Sequence, residues 1–307
     1  MSTSGKPKKD QFGLIARILF ISAAVLFGAW SLRNDWPEFL SAVASVPIWK
    51  WLLSILLVFV GLLTTGLVWL KLLSQLGHRP SLRAGLYVFF VGQLGKYIPG
   101  SVWSLGVQAE MARRLSIPPR TTVANGLVFL YWNVATAVFF GSVAVQFQWV
   151  DLEVSPLLAG AIGLLSLLGI TPPATNLVTK LLAGQSREQK SKIPDTALLF
   201  ALLSVVWFVY GLAVFILVPE ALQPTFHFLW AAIGAFSLAY AAGVAIIFAP
   251  AGVGVREGVI VVLISPFLGI PNAIAVAVLT RVIHTLADFT IAGIAWIWYR
   301  KSKVVTS

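Results

Sequence analysis

Runs of about twenty apolar residues recur along this chain, and no other feature restricts its folding options as strongly. Of its 307 residues, 58% are hydrophobic and 11% are charged, and the mean hydropathy is +0.89. A soluble domain of this size can bury a core, but it cannot hide so many continuous apolar stretches. Backbone N–H and C=O groups find no water in lipid, so a spanning segment must be a helix or part of a closed barrel. The runs here are continuous rather than alternating, which argues against a barrel. The expected fold class is therefore an all-α polytopic membrane protein.

Candidate spans are Phe12–Leu32, Ile48–Leu70, Thr121–Val150, Pro156–Ile170 with an extension toward Leu181, Thr196–Val218, Phe226–Phe248 and Asn272–Tyr299. The first follows a basic, polar N-terminus without a small-residue cleavage site, so it reads as a retained span rather than a signal peptide. Clusters of Lys and Arg set the orientation. Lys6, Lys8, Lys9 and Arg17 flank the first span, and Lys71, Arg79 and Arg83 follow the second. Arg113, Arg114 and Arg120 precede the third, Lys180, Arg187, Lys190 and Lys192 lie between the fourth and fifth, and Arg300, Lys301 and Lys303 close the chain. By the positive-inside rule all five clusters, and both termini, are expected in the cytoplasm. The opposite loops carry Asp35, Glu38, Asp151, Glu153 and Glu220, with Arg33 and Lys50 as basic exceptions. The same bias accounts for the formal charge of +11, which in a soluble chain would point to nucleic acid; no nucleic-acid partner is expected here.

Two apolar segments do not fit as simple spans. Residues 84–112 have cytoplasmic clusters on both sides, and Pro99-Gly100 divides them into legs of 15 and 11 residues. At 1.5 Å per residue these legs reach about 22 and 16 Å, short of a ~30 Å hydrocarbon core. A re-entrant hairpin with its tip at Pro99-Gly100 fits best. Val255–Leu268 is likewise too short to cross, so a second hairpin, about 240–268, is expected to open outward with its tip near Ala249–Gly254. The result is six full spans, seven or eight by hydropathy alone, plus two oppositely oriented hairpins. Such a pair is the mark of inverted repeats around a midplane site. The expected halves are about 1–150 and about 156–299 of a single transmembrane domain.

Charges within apolar stretches are costly and mark pathways or binding sites. Lys96 lies beside the first predicted tip, where Pro99 and Gly100 free backbone groups, Tyr97 adjoins, and Gly92 and Gly95 permit close helix contact. Together they suit an anionic group such as phosphate, with a snorkelling interfacial lysine as the alternative. Arg256 and Glu257 follow the turn containing Gly252 and Gly254 and open a new helix. Arg256 is a bidentate phosphate ligand by type, and Glu257 a neutralising or proton-coupling group; a structural ion pair is the alternative. Arg281, His284 and Asp288 stand at spacings of 3 and 4 on one face of the last span. That face is expected to form a charge network, through Arg281 with Glu257 and Asp288 with Lys96 or Arg256. Asn125, Trp132 and Asn133 place polar groups in the third span, where helix–helix hydrogen bonds are as good an explanation as substrate contact. Glu110 reads as an interfacial helix end. Most of the 12 tryptophans, including Trp36, Trp49, Trp51, Trp149, Trp296 and Trp298, fit interface anchoring.

Several chemistries find no support. There is no cysteine, and no Walker A, HExxH, GxSxG or dinucleotide fingerprint. No metal site, cofactor or catalytic residue is expected, although a membrane-embedded transferase using Glu257 or Asp288 as a base stays open.

The two motifs, Gly95-Lys96-Tyr97-Ile98-Pro99-Gly100 with Val102-Trp103, and Gly252-Val253-Gly254-Val255-Arg256-Glu257-Gly258, match in order and spacing those of a known family. The chain resembles the lysylphosphatidylglycerol synthase transmembrane region, a family of flippase-like membrane proteins, over nearly its whole length. The resemblance implies a bacterial or archaeal cytoplasmic-membrane protein with two re-entrant elements. In bifunctional members this region moves aminoacylated phosphatidylglycerol, and a separate soluble domain makes it; that domain is absent from this sequence. The expectation is a lipid flippase for an anionic phospholipid or a polyprenyl-phosphate-linked lipid. On this reading Lys96 and Arg256 hold phosphate, while Glu257, Arg281 and Asp288 tune charge or couple protons. A homodimer or a partner enzyme is also open, and the alternative function is a non-transporting scaffold for a lipid- or glycan-modifying enzyme.

Overall fold

A computed structural model describes residues 36–98, 103–150, 152–183, 191–246 and 250–304. The expected first span, Phe12–Leu32, and the N-terminal basic cluster lie outside the described residues. So do Pro99 and Gly100 of the first motif and Ala249 of the second tip.

Every regular element among the described residues is helical. In chain order they are α1 (Trp36–Ala44), α2 (Ile48–Gln75), α3 (Leu82–Gln93), a 3-10 turn (Leu94–Tyr97), α4 (Trp103–Arg113), α5 (Pro119–Gln146), α6 (Pro156–Gly169) and α7 (Pro172–Ala183). After these come α8 (Ile193–Ile216), a second 3-10 turn (Glu220–Leu222), α9 (Phe226–Ala245), a third (Pro250–Gly252), α10 (Val255–Leu268) and α11 (Ile270–Val304). Five helices among the described residues, α2, α5, α8, α9 and α11, are long and apolar enough to cross a membrane. The bent pair α6–α7 makes a sixth if taken as one span. This is a multi-span α-helical membrane protein.

The boundaries follow from local chemistry. Ser81, Ser155 and Thr225 each accept a hydrogen bond from a first-turn amide and so start α3, α6 and α9. Proline occupies the first turn of α5 and α8, where its missing N–H costs nothing. The expected extension of the fourth span toward Leu181 is present but not straight: α6 and α7 meet at 68°. Pro172 and Pro173 cannot donate back across Ile170–Thr171, so the ladder ends there and restarts.

At the centre, α2 and α8 run antiparallel. Lys50 Nζ donates to the Val218 carbonyl at one end (2.7 Å), and Lys71 pairs with Asp195 at the other (2.7 Å). Gly61 lies directly against the Tyr210 ring, which leaves no room for a Cβ. Other packing also crosses between the two halves of the chain. Helix α3 lies against both α4 and α11, whereas α9 lies against both α10 and α5. The ends agree. Tyr87 of α3 stacks on Tyr299 of α11 (4.4 Å), and Trp230 of α9 stacks on Trp149 just beyond α5 (5.0 Å). Arg83 also sits over the Trp298 ring, 5.0 Å away.

The described tryptophans fall into three groups, and two expected anchors, Trp51 and Trp149, sit with Trp230 partly buried against the core. Trp36, Trp49, Trp296 and Trp298 are exposed on the outside of the bundle, as interfacial anchors would be. Trp69, Trp132 and Trp207 are fully buried, and Trp207 Nε1 donates to Thr136 Oγ1 (2.9 Å). In the third span Asn125 Nδ2 donates across to the Trp69 carbonyl (3.2 Å), tying α5 to α2, while Asn133 bonds back to Phe129 within its own helix.

Candidate functional site

Both irregular segments are broken helices, and their breaks touch: the 3-10 turn Leu94–Tyr97 packs against the turn Pro250–Gly252. In the first, α3 ends at Gln93 and tightens into the 3-10 turn. Gly95 sits so close to the Trp103–Ser104 backbone that a Cβ would fall 2.7 Å from Ser104 N. That approach brings the start of α4 against the turn and presents Lys96 and Tyr97 inward. In the second, α9 stops at Ala245, three residues before the expected end at Phe248. Ala251, Gly252 and Gly254 then take positive φ (50°, 70° and 83°), reversing the chain before α10 begins.

Lys96 Nζ lies 2.6 Å from Asp288 Oδ2, and the Tyr97 hydroxyl donates to the same oxygen at 2.6 Å. Of the two partners expected for Asp288, the structure selects Lys96. Tyr97 also stacks on Phe289 (5.3 Å), which clamps the turn onto α11.

About two helical turns earlier on α11, Arg281 faces the second break. Its Nε lies 3.4 Å from Glu257 Oε1, and its Nη1 donates to the Ala251 carbonyl at 2.9 Å. The expected Arg281–Glu257 pairing is present. Glu257 also accepts the Gly254 amide (2.7 Å), so its carboxylate stabilises the start of α10. The Gly254 N–H thus serves Glu257. Arg281, His284 and Asp288 do share one face, but they divide it: Arg281 holds the second break and Asp288 the first.

Arg256 differs from the other charged groups. Its guanidinium lies over the Tyr240 ring (4.7 Å), and Nε is buried with no hydrogen-bond partner among the described residues. No carboxylate pairs with it among the described residues. Gly243 and Gly252 make the room: a Cβ on Gly243 would fall 2.8 Å from Arg256 Nε, and one on Gly252 3.0 Å from it. Arg256, Glu257, Arg281 and His284 line one cleft together with Phe236, Ile260, Ala277 and Thr280. The cleft is small, about 30 Å³, enough for a water or two. His284 Nδ1 is 2.9 Å from the Thr280 carbonyl, and its ring is held between Tyr210 and Phe236. Among the described residues neither His284 Nε2 nor Thr280 Oγ1, both buried, has a hydrogen-bond partner.

Residues 14–292 match the model of the lysylphosphatidylglycerol synthase TM region family. The chain belongs to that family. No curated protein sequence matches it. Within this member of the lysylphosphatidylglycerol synthase TM region, Lys96, Tyr97, Arg256, Glu257, Arg281, His284 and Asp288 converge where the two breaks meet. Gly252 and Gly254 shape the second break, and Pro99 and Gly100 lie outside the described residues. Glu110 stays apart, in an exposed pair with Arg113 (2.8 Å). Sequence reasoning missed Tyr240, Phe236 and Thr280. Tyr240 and Gly243 stand three apart on α9 and so face the same way, but the signal that they cradle an arginine comes only from the approach of α10. Among the described residues no group of three or more His, Cys, Asp or Glu side chains is placed to hold a metal ion.

Proposed function

We propose that this protein carries a lipid with a phosphate-containing head group across the cytoplasmic membrane, the head group passing between the two helix breaks while the acyl or prenyl chains stay in lipid. The observation that carries this reading is Arg256, a cation at a helix break, in a cleft, without a carboxylate partner among the described residues. An uncompensated guanidinium in a low-dielectric site is expensive unless an anion spends part of the cycle there. Phosphate oxygens match its fork of donors. Lys96 stands ready on the facing break, and Glu257, Arg281 and Asp288 hold the cluster's charge balance. Family membership supports a transport role in general terms.

The packing supports alternating access between two inverted repeats. Exchanging α2, α3–α4 and α5 for α8, α9–α10 and α11 leaves the contact pattern unchanged: α3 on α11 answers α9 on α5, α4 on α5 answers α10 on α11, and α2 and α8 pair with each other. The glycine seven residues before each break proline, Gly92 before Pro99 and Gly243 before Pro250, admits a polar side chain from the returning leg, Gln108 in one case and Arg256 in the other. The repeats are then 48–146 and 193–304, with α6–α7 as the connection between them. On this reading α3–α4 is a hairpin entering from the cytoplasm and α9–α10 one entering from outside, although α9, 20 residues and about 30 Å long, reaches nearly across by itself. A cleft of about 30 Å³ is a closed state, and the repeats must rock apart to admit a head group.

Reconstitution tests this directly. Vesicles containing the purified protein and head-group-labelled phosphatidylglycerol should show protein-dependent loss of leaflet asymmetry. Arg256→Gln and Lys96→Gln should each slow it at least tenfold. Equal rates in all three would refute the assigned roles. No movement in any of them, with a stable enzyme partner recovered instead, would favour the accessory-protein reading.

A further inference from the structure

We infer that the head group accepted here carries one net negative charge and a hydroxyl, that is, a hydroxyl-bearing phosphodiester. The inference rests on the carrier reading for its biology, but it concerns which ligand the site binds. Among the described residues five charged side chains gather at the two breaks: Lys96, Arg256, Glu257, Arg281 and Asp288. Arg256 lies within Coulombic reach of Arg281, Glu257 and Asp288, so they act as one cluster. Two neutral pairs account for four of them, Lys96 with Asp288 and Arg281 with Glu257. Arg256 is left over, and the cluster carries one net positive charge. Where the cluster is buried, each uncompensated unit of charge costs free energy, so a ligand of matching charge is favoured. A zwitterionic head group supplies no net compensation, a dianion leaves one negative charge over, and an aminoacylated, net cationic head group adds to the excess.

The unpartnered atoms refine the class. Among the described residues Arg256 Nε–H is buried without an acceptor, packed against Gly243 and Gly252, so it is a donor that a phosphate oxygen could take once the two breaks move apart. A carbonyl can only accept, so His284 Nδ1 donates to Thr280 O. That leaves Nε2, in the neutral ring, as a buried lone pair that needs a donor. Thr280 Oγ1 also lacks a partner. A hydroxyl next to the phosphodiester satisfies both, donating to Nε2 and accepting from the threonine. Phosphate esters of glycerol and of sugars share this chemistry, the first on a phospholipid and the second on a polyprenol.

The test is competition for the detergent-solubilised full-length protein, read as lipid retained per protein by native mass spectrometry. The lipids are phosphatidylglycerol, phosphatidylserine, phosphatidylethanolamine, cardiolipin, lysylphosphatidylglycerol and, in a separate arm, a polyprenyl monophosphate sugar. Wild type should retain phosphatidylglycerol or the polyprenyl phosphodiester at least tenfold over the zwitterion, the dianion and the cationic lipid. It should also prefer either over phosphatidylserine, which has the charge but not the hydroxyl; the arm that binds tighter names the source. Arg256→Gln should erase the charge preference. Asp288→Asn adds one positive unit and should move the optimum to cardiolipin, and Glu257→Gln makes the same change if the first variant does not fold. Indifference to head-group charge in wild type, or an unchanged order in both added-charge variants, overturns the inference. Charge-selective retention without lipid movement in vesicles upholds it and refutes the carrier reading.

Discussion

Replacing Asp288 with Ala removes the acceptor shared by two donors, Lys96 Nζ and the Tyr97 hydroxyl, both 2.6 Å from Oδ2. Breaking a fully buried ion pair by deleting one partner costs about 3–5 kcal/mol. Here the carboxylate is 10% exposed and the Lys96 side chain 31%, so the stranded ammonium recovers part of its hydration and the cost falls toward the lower end. A hydrogen bond to a charged acceptor is worth roughly 1.5–3 kcal/mol, and Tyr97 loses one. The two terms overlap, because they describe one carboxylate. The expected loss is therefore about 3 kcal/mol, well over a hundredfold in the folded-to-unfolded ratio. The assay is reversible unfolding in mixed detergent, run as a cycle of wild type, Lys96→Met, Asp288→Ala and the double variant. The double variant should be more stable than the sum of the single losses allows, by at least about 1 kcal/mol, because removing both charges strands neither. Strict additivity would refute the claim that this pair is a coupled tie between the first break and α11.

Other perturbations separate the roles of neighbouring groups. Gly243→Val puts a side chain into the space held by Arg256 Nε and Cγ, and should abolish head-group selectivity just as Arg256→Gln should, by the same lipid-retention assay. Gly211→Ala places a Cβ within 2.8 Å of the Ile233 backbone, where neither helix can yield; it should lower stability by about 1–3 kcal/mol or more in thermal unfolding, with α8 and α9 forced apart. Thr136→Val leaves the buried Trp207 N–H without an acceptor and should cost about 1–3 kcal/mol in the same assay. Arg113 holds the Glu110 carboxyl below the usual carboxylate range through a direct hydrogen bond. A depressed folded value means the contribution to stability is present above the unfolded carboxylate value and is lost as pH falls through the folded one. Arg113→Ala should return the Glu110 titration, followed by carbon NMR, toward an ordinary glutamate.

The class of the molecule, and the segments that meet at the candidate site, were legible in the amino-acid order. Hydrophobic length is a local property, so the runs at Ile48–Leu70, Thr121–Val150 and Thr196–Val218 were legible as spans, and α2, α5 and α8 cover them with ends shifted by a few residues. Proline and glycine act locally too, which is why Pro250 with Gly252 and Gly254 announced a break. The spacing of Arg281, His284 and Asp288 announced a shared face because 3.6 residues per turn is fixed by backbone geometry. Partner choice was not legible. Asp288 had two equally good cations in the sequence, and only the seating of the turn Leu94–Tyr97 on α11 gave it to Lys96. That choice left Arg256 over Tyr240 without a carboxylate, and so gave the cluster its net charge. Nor did hydropathy reveal the crossed packing, α3 on α11 and α9 on α5, since an apolar helix fits lipid and another apolar helix equally well. Tertiary structure decided it through close approaches between distant segments, such as Gly61 against Tyr210 and Gly243 against Arg256, whose energy exists only once both surfaces are in place.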